Sequence, residues 1–132
     1  MKKAIFGSLA LVLGIGLMSF NTMNLDFEKE NFQDPNKGKS IYNKTCLACH
    51  QANGQGIKGV FPAIDGSPLA NLKENIPAHI HQVIYGKGIM PAFGEQLSDS
   101  EIAAVVTFAR NNWGNKTGHV IQPKDVLAAR KK

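Results

Sequence analysis

The sequence predicts an all-α domain, on three observations. No stretch alternates with period two for long enough to form a strand. Asp34-Pro35 and Ser98 with Glu101 are helix-start signals, each followed by apolar residues at helical spacing. Between those segments the chain is punctuated by glycine and proline, which belong to loops.

The 132-residue chain opens with "MKKAIFGSLALVLGIGLMSF", two lysines ahead of an apolar run from Ala4 to Phe20. Residues 1–20 are therefore an export signal or a membrane anchor. The run is near the short limit for a bilayer span, about 17 residues, and no A-x-A cleavage site follows, so both readings stand. Either delivers the domain to the periplasm or the outer face of the cytoplasmic membrane. Residues 21–33 are polar, lack a clear period and read as a spacer.

The domain is expected over residues 34–115. Asp34 caps a first helix with Pro35 at N1, running through "NKGKSIYNKTCLACH" with Gly38, Ile41 and Tyr42 on one side. Six glycines and prolines between Gln51 and Leu72 make a long loop, and long loops in compact domains are usually functional. A short helix is expected from Pro77 to Tyr85, with Ile80, Val83 and Ile84 inward; "GKGIMPAFGEQ" is loop again. The last helix starts at the Ser98–Glu101 capping box, keeps Ile102, Val105, Val106, Ala109 and Trp113 in register, and is expected to end with Gly114 at C′. Residues 116–132 are expected as a C-terminal tail.

The formal charge is +5, but its distribution argues against nucleic acid as a partner. The excess lies in the leader (Lys2, Lys3) and in the tail (Lys116, Lys124, Arg130, Lys131, Lys132), while charges nearly cancel between Asn24 and Asn115. No basic face interleaved with aromatics is present.

The only two cysteines lie in "CLACH", residues 46–50. Structural zinc needs four ligands, and this segment supplies at most three. A thioredoxin-type dithiol expects a βαβ setting, and no strand precedes Cys46. A Cys46–Cys49 disulfide would close too short a loop to stabilise much. Haem c attachment needs two thiols to add across two vinyl groups and a histidine beside the second to reach the iron, which C-x-x-C-H provides. An exported domain agrees with it. One covalent haem c on Cys46 and Cys49, with His50 as an iron ligand, is the reading.

The sixth iron ligand decides function: a fixed side chain suits electron transfer, an open position suits an enzyme or gas sensor. Candidates after Cys46 are His79, His81, His119 and Met90. A lone methionine is ordinarily core filler, but Met90 stands in a glycine-rich loop with Pro91 stiffening the chain behind it. Met90 is the preferred ligand; one or both of His79 and His81 read as solvated residues of their helix and His119 as part of the tail.

These features carry a family resemblance. From about Asp34 the chain resembles class I cytochromes c: a first helix ending in "CLACH", a glycine- and proline-rich loop, "GIMPAF" and a C-terminal helix. The resemblance implies three to four helices around the haem, with Gly38 and Tyr42 packed on the last helix near Val105 and Phe108. It implies that the Pro62 carbonyl accepts the Nδ1–H of His50, a bond that orients the ring. The stretch from Met90 to Arg130 is similar to the cytochrome domain of haem–copper oxidase subunit II and to small cytochrome subunits of quinoprotein dehydrogenases. With no copper-binding domain ahead of it, the chain is expected to be the cytochrome part alone, and a monomer. Expected pocket walls are Val60, Phe61, Ile64, Leu69, Ile84 and Phe93.

The function implied is one-electron transfer between respiratory or periplasmic redox partners, a membrane oxidase or a quinol or dehydrogenase partner being expected. The alternatives are a haem subunit fixed in a larger oxidoreductase, or a peroxidase-type haem enzyme with a labile sixth ligand.

Overall fold

Asp34 caps the first helix of the computed structural model, which describes residues 34–131. The leader or anchor (1–20) and the spacer (21–33) expected from sequence lie outside the described residues. Helix α1 (Pro35–Thr45) starts where the Asp34 carboxylate accepts the Asn36 N–H at 2.8 Å with proline in the first turn. The helix does not run unbroken through His50. It breaks at Cys46 and resumes as α2 (Leu47–His50). The Thr45 hydroxyl donates to the Ile41 carbonyl at 2.8 Å, a back-bond of the kind that bends helices at this point.

The Ser67 hydroxyl caps α3 (Pro68–Asn71) by accepting from the Ala70 N–H. A 3-10 turn (Lys73–Asn75) leads into α4 (Ile76–Tyr85). Helix α5 (Asp99–Asn111) carries the capping box in full: Ser98 accepts from the Glu101 N–H, and the Glu101 carboxylate accepts from the Ser98 N–H at 2.8 Å. Among the described residues there is no strand, only isolated bridges between Ile57 and Phe61 and between Lys87 and Met90. Among the described residues four helices reach eight residues or more.

The end of α5 differs from expectation. Asn112 is the cap and the positive φ falls on Trp113 (55°), not on Gly114. The indole explains it: Trp113 packs edge-on against Tyr42 and Phe108, with ring centroids 5.2 and 5.6 Å away, and its Nε1–H donates to the Ala52 carbonyl at 2.9 Å. Tertiary contacts of the side chain outweigh the usual preference for glycine at this position.

The core is α1 crossing α5, with α4 and α6 beside α5. Gly38 is where the two helices touch; a Cβ there would lie 2.7 Å from Cβ of Phe108 and collide with the Ala104 carbonyl. Tyr42 stacks at a tilt on Phe108, 5.4 Å between centroids. The partners expected for the first helix are thus met at Phe108 and, one residue before Val105, at Ala104.

Beyond Asn115 the chain was expected to trail away as a tail. It instead folds back to place α6 (Pro123–Arg130) on α4 and α5, burying Ile121 and Val126 completely. Arg130 ties that helix to the opposite loop, donating to Asp99 Oδ1 at 2.6 Å and to the carbonyls of Gly94 and Leu97 at 2.6 and 3.0 Å. The weak apolar periodicity of α6 hides a contact that only the folded chain supplies.

Candidate functional site

Between α2, the 51–66 loop, α4, α5 and the Met90 loop lies a cavity of about 480 Å³. That is within the roughly 300–1,000 Å³ of a site that holds a cofactor-sized molecule. Its wall is mostly apolar: Phe61, Ile64, Leu69, Val83, Phe93 and Val105 are on it. Of the walls expected from sequence, Val60 and Ile84 are not. Val60 is 57 % exposed on the outside of the loop, and Ile84 turns into the helical core beside Gly94.

Cys46, Cys49 and His50 all line this cavity. The two thiols are free. Burial foremost pushes the Cys46 thiol up, with the nearby Cys49 adding to it and the Thr45 contact opposing it. Thr45 Oγ1 and Cys46 Sγ lie 3.3 Å apart.

His50 Nδ1 lies 2.9 Å from the Pro62 carbonyl. A carbonyl can only accept, so Nδ1 carries the proton and Nε2 keeps its lone pair for the cavity. The loop is built to hold that carbonyl. Ile57 and Phe61 exchange backbone hydrogen bonds of 2.9 and 2.8 Å, and the Gly56 N–H donates to the His50 carbonyl at 3.0 Å. Gly56 has φ 63°, and a Cβ on it would run into the carbonyls of Phe61 and Pro62. Farther along, the buried Asn115 side chain knits the loop to α5, accepting from the Gly66 N–H at 2.8 Å and donating to the carbonyls of Ile64 and Ala109.

Met90 also lines the cavity, held by a turn in which the Lys87 and Met90 backbones exchange hydrogen bonds of 3.1 and 3.0 Å. Gln82 Nε2 points at Met90 Sδ from 3.6 Å. Gly86 has a positive φ, and a Cβ there would strike the Met90 carbonyl.

The three histidines weighed against Met90 separate. His81 is exposed, stacked at a tilt on Tyr85. His119 Nδ1 accepts from Arg110 Nη2 at 3.1 Å, since a guanidinium can only donate, and His119 is not on the cavity wall. His79 was expected on the surface. It is 7 % exposed and lines the cavity, because α4 turns the face with Val83 and Gln82 inward. Its pKa is pushed down to about 4, first by burial and then by Arg110 and His50. Gln82 and Asn115 were not singled out by sequence reasoning; for Gln82 its i, i+3 spacing from His79 on one helix was the available signal.

The sequence profile described as "Cytochrome C oxidase, cbb3-type, subunit III" matches residues 33–108. The chain belongs to the cytochrome c family. Membership implies a covalently bound haem c, and the donor set fits one: paired thiols and an imidazole lone pair on the wall of an apolar cavity of the right size.

The gluconate 2-dehydrogenase cytochrome c subunit of Pantoea cypripedii is 32% identical over 109 residues, covering 74% of this chain and 25% of that protein. Cytochrome c6 of Leptolyngbya boryana is 37% identical over 75 residues, covering 57% of this chain and 88% of that one. The solved cytochrome c6 of the diatom Phaeodactylum tricornutum aligns with a TM-score of 0.47 at 30% identity, over 73% of this chain and 98% of that one. The chain thus spans a quarter of the length of the dehydrogenase subunit it matches, and 22% of the alcohol dehydrogenase (quinone) cytochrome c subunit of Gluconobacter oxydans (strain 621H). No helix among the described residues is long and apolar enough to cross a membrane.

Proposed function

We propose that this chain is a one-electron carrier with one haem c joined to Cys46 and Cys49 and ligated by His50 Nε2 and Met90 Sδ, working at the outer face of the cytoplasmic membrane. The observation that carries the reading is the 2.9 Å bond from His50 Nδ1 to the Pro62 carbonyl, which fixes the ring and leaves Nε2 free on the same cavity wall as Met90 Sδ.

When bound, haem supplies the one-electron iron couple. The protein's part is to keep both ligands in place, so that little rearranges on electron transfer, and to keep water out. His50 is held by the crossed loop at Gly56, Met90 by the Lys87–Met90 turn, and the apolar wall excludes solvent. A thioether ligand favours reduced iron and raises the potential. Lys87 and the 74 % exposed Ile89 are both on the cavity wall and open to solvent, a mixed surface suited to brief contact with a redox partner.

The optical spectrum of the oxidised protein tests the ligation. A weak sulfur–iron band at the red end is expected. Met90→Ala should abolish it and admit external ligands, whereas Met90→His should keep a six-coordinate, low-spin haem at lower potential. An unchanged spectrum in both variants would move the sixth ligand elsewhere.

A second reading, a haem subunit fixed in a larger oxidoreductase, is favoured by the relatives named as dehydrogenase cytochrome c subunits. Partner rates that rise with protein concentration and fall with salt support the shuttle; rates indifferent to both support the fixed subunit.

A further inference from the structure

Helix α4 both launches and recovers the loop that carries Met90. Where the loop leaves, the Gly86 N–H donates to the Gln82 carbonyl at 2.9 Å. Where it returns, the Phe93 and Gly94 N–H groups donate to the Val83 and Ile84 carbonyls, each at 3.0 Å. Both ends are thus pinned to the last turns of one helix. The turn with Lys87 fixes the Met90 backbone between them, but not the three rotatable bonds of its side chain.

Gln82 supplies what the backbone leaves open. Its side chain is half-buried, lies on the cavity wall with Met90, and points Nε2 at Sδ from 3.6 Å. A thioether sulfur can only accept, and so can the amide oxygen, so the NH2 end of the amide faces the sulfur.

That sulfur has two lone pairs. A hydrogen bond from Gln82 uses one and leaves the other for a metal, so the amide and an iron atom do not compete for the same electrons. The bond also selects which pair remains, and with it the side of the sulfur on which the Met90 methyl group lies. Thioethers are weak acceptors, and in open water the amide would be hydrated instead. Against the apolar wall formed by Val83 and Phe93 the local dielectric is lower, which strengthens the bond.

We propose that Gln82 donates an Nε2–H to Met90 Sδ in the holoprotein and is the positioning residue of the sixth ligand. It holds the thioether in one configuration and draws electron density from the sulfur. Less density on sulfur disfavours the more highly charged iron(III), so Gln82 raises the potential beyond what the thioether alone sets. This rests on the reading of Met90 as an iron ligand above.

The test uses the reduced holoprotein, which is diamagnetic. Nuclear Overhauser contacts should run from the Gln82 side-chain amide protons to the Met90 methyl protons. Gln82→Leu keeps most of the side-chain volume and removes the donor. In that variant the sulfur–iron band of the oxidised protein should persist but shift, and the potential should fall. Displacement of Met90 by added imidazole should be about two- to fivefold faster, the factor that an ordinary hydrogen bond contributes. The wild-type measurement needs no variant to fold. A sulfur–iron band absent from the wild type, or surviving Met90→Ala, would overturn the ligand reading itself. A band that is present and lost in Met90→Ala, with no contact between the Gln82 amide and Met90, would overturn this proposal alone. So would a Gln82→Leu protein that is less stable to denaturant but keeps the wild-type band and potential, since a packing role moves stability and not the iron.

Discussion

Nδ1 of His50 and the carbonyl of Pro62 meet at 2.9 Å across twelve residues of a loop that crosses itself at Gly56. Proline contributes a carbonyl with no N–H of its own, so the residue that orients the ring places no competing donor beside it. What fixes the carbonyl is the glycine: with φ 63° and no Cβ, Gly56 lets its backbone lie against Phe61 and Pro62.

Gly56→Ala should therefore do two things. Strain at positive φ and the collision with two carbonyls should cost about 1–3 kcal/mol of stability. The displaced Pro62 carbonyl should loosen its hold on Nδ1, make His50 a less basic ligand and raise the reduction potential. Gly59→Ala is the control, since Gly59 shares a positive φ (78°) but has nothing near its missing Cβ. Chemical denaturation and potentiometry of the two variants check this. Equal potentials in both would detach the Pro62 bond from the tuning of the haem.

Caps made α1 and α5 legible in the sequence, because Asp34–Asn36 and Ser98–Glu101 interact within four residues. The C-x-x-C-H segment and Met90 were legible for the same reason: each is a local pattern. His79 was misjudged because polarity on a short helix says nothing about which neighbour covers it; α4 turns that face onto the cavity. Helix α6 was missed since its two buried anchors, Ile121 and Val126, are covered only once the chain has returned to α4 and α5. Trp113 took the left-handed position expected for Gly114 because contacts with Tyr42, Ala52 and Phe108 hold its ring.

The contact of α1 with α5 should be intolerant of a single methyl group. Gly38→Ala places a Cβ 2.7 Å from Cβ of Phe108, and both helices are backbone-to-backbone at that point. Separation of the helices should cost about 1–3 kcal/mol and lower the thermal midpoint. Lys39→Ala, one residue on and exposed, should change it little. Calorimetry of both variants in the holoprotein reads the difference, and a Gly38→Ala protein as stable as wild type would mean that the helices have room to part.

Arg130 joins α6 to the segment that follows Met90 and Pro91. Its guanidinium reaches Asp99 and the carbonyls of Gly94 and Leu97, with both ionic side chains less than a third exposed. Arg130→Met keeps the aliphatic stem and removes all three bonds. About 1–3 kcal/mol of stability should go, and the Met90 loop should open more often. Binding of added imidazole to the oxidised haem should be faster than in wild type, as measured by stopped-flow absorbance. An unaltered binding rate with lowered stability would confine Arg130 to holding α6.

The last prediction follows from the Tyr42 hydroxyl, which donates to the Gln51 carbonyl at 2.7 Å just beyond His50. Burial, and secondarily Cys46, raises its pKa from 10.0 to about 12. The sign follows from linkage. The unfolded chain loses this proton near pH 10 and the folded one only near 12, so the folded state binds the extra proton between those values. The stability due to Tyr42 is fully present below pH 10 and declines as pH rises toward 12. The loss should be on the order of 1 kcal/mol. Tyr42→Phe gives up the bond to Gln51, costing about 1 kcal/mol at neutral pH, but has no proton to lose there. Denaturation curves taken from pH 8 to 12 should start lower for Tyr42→Phe and converge with wild type at the alkaline end. Parallel curves would assign the alkaline loss to other groups and leave Tyr42 a packing residue alone.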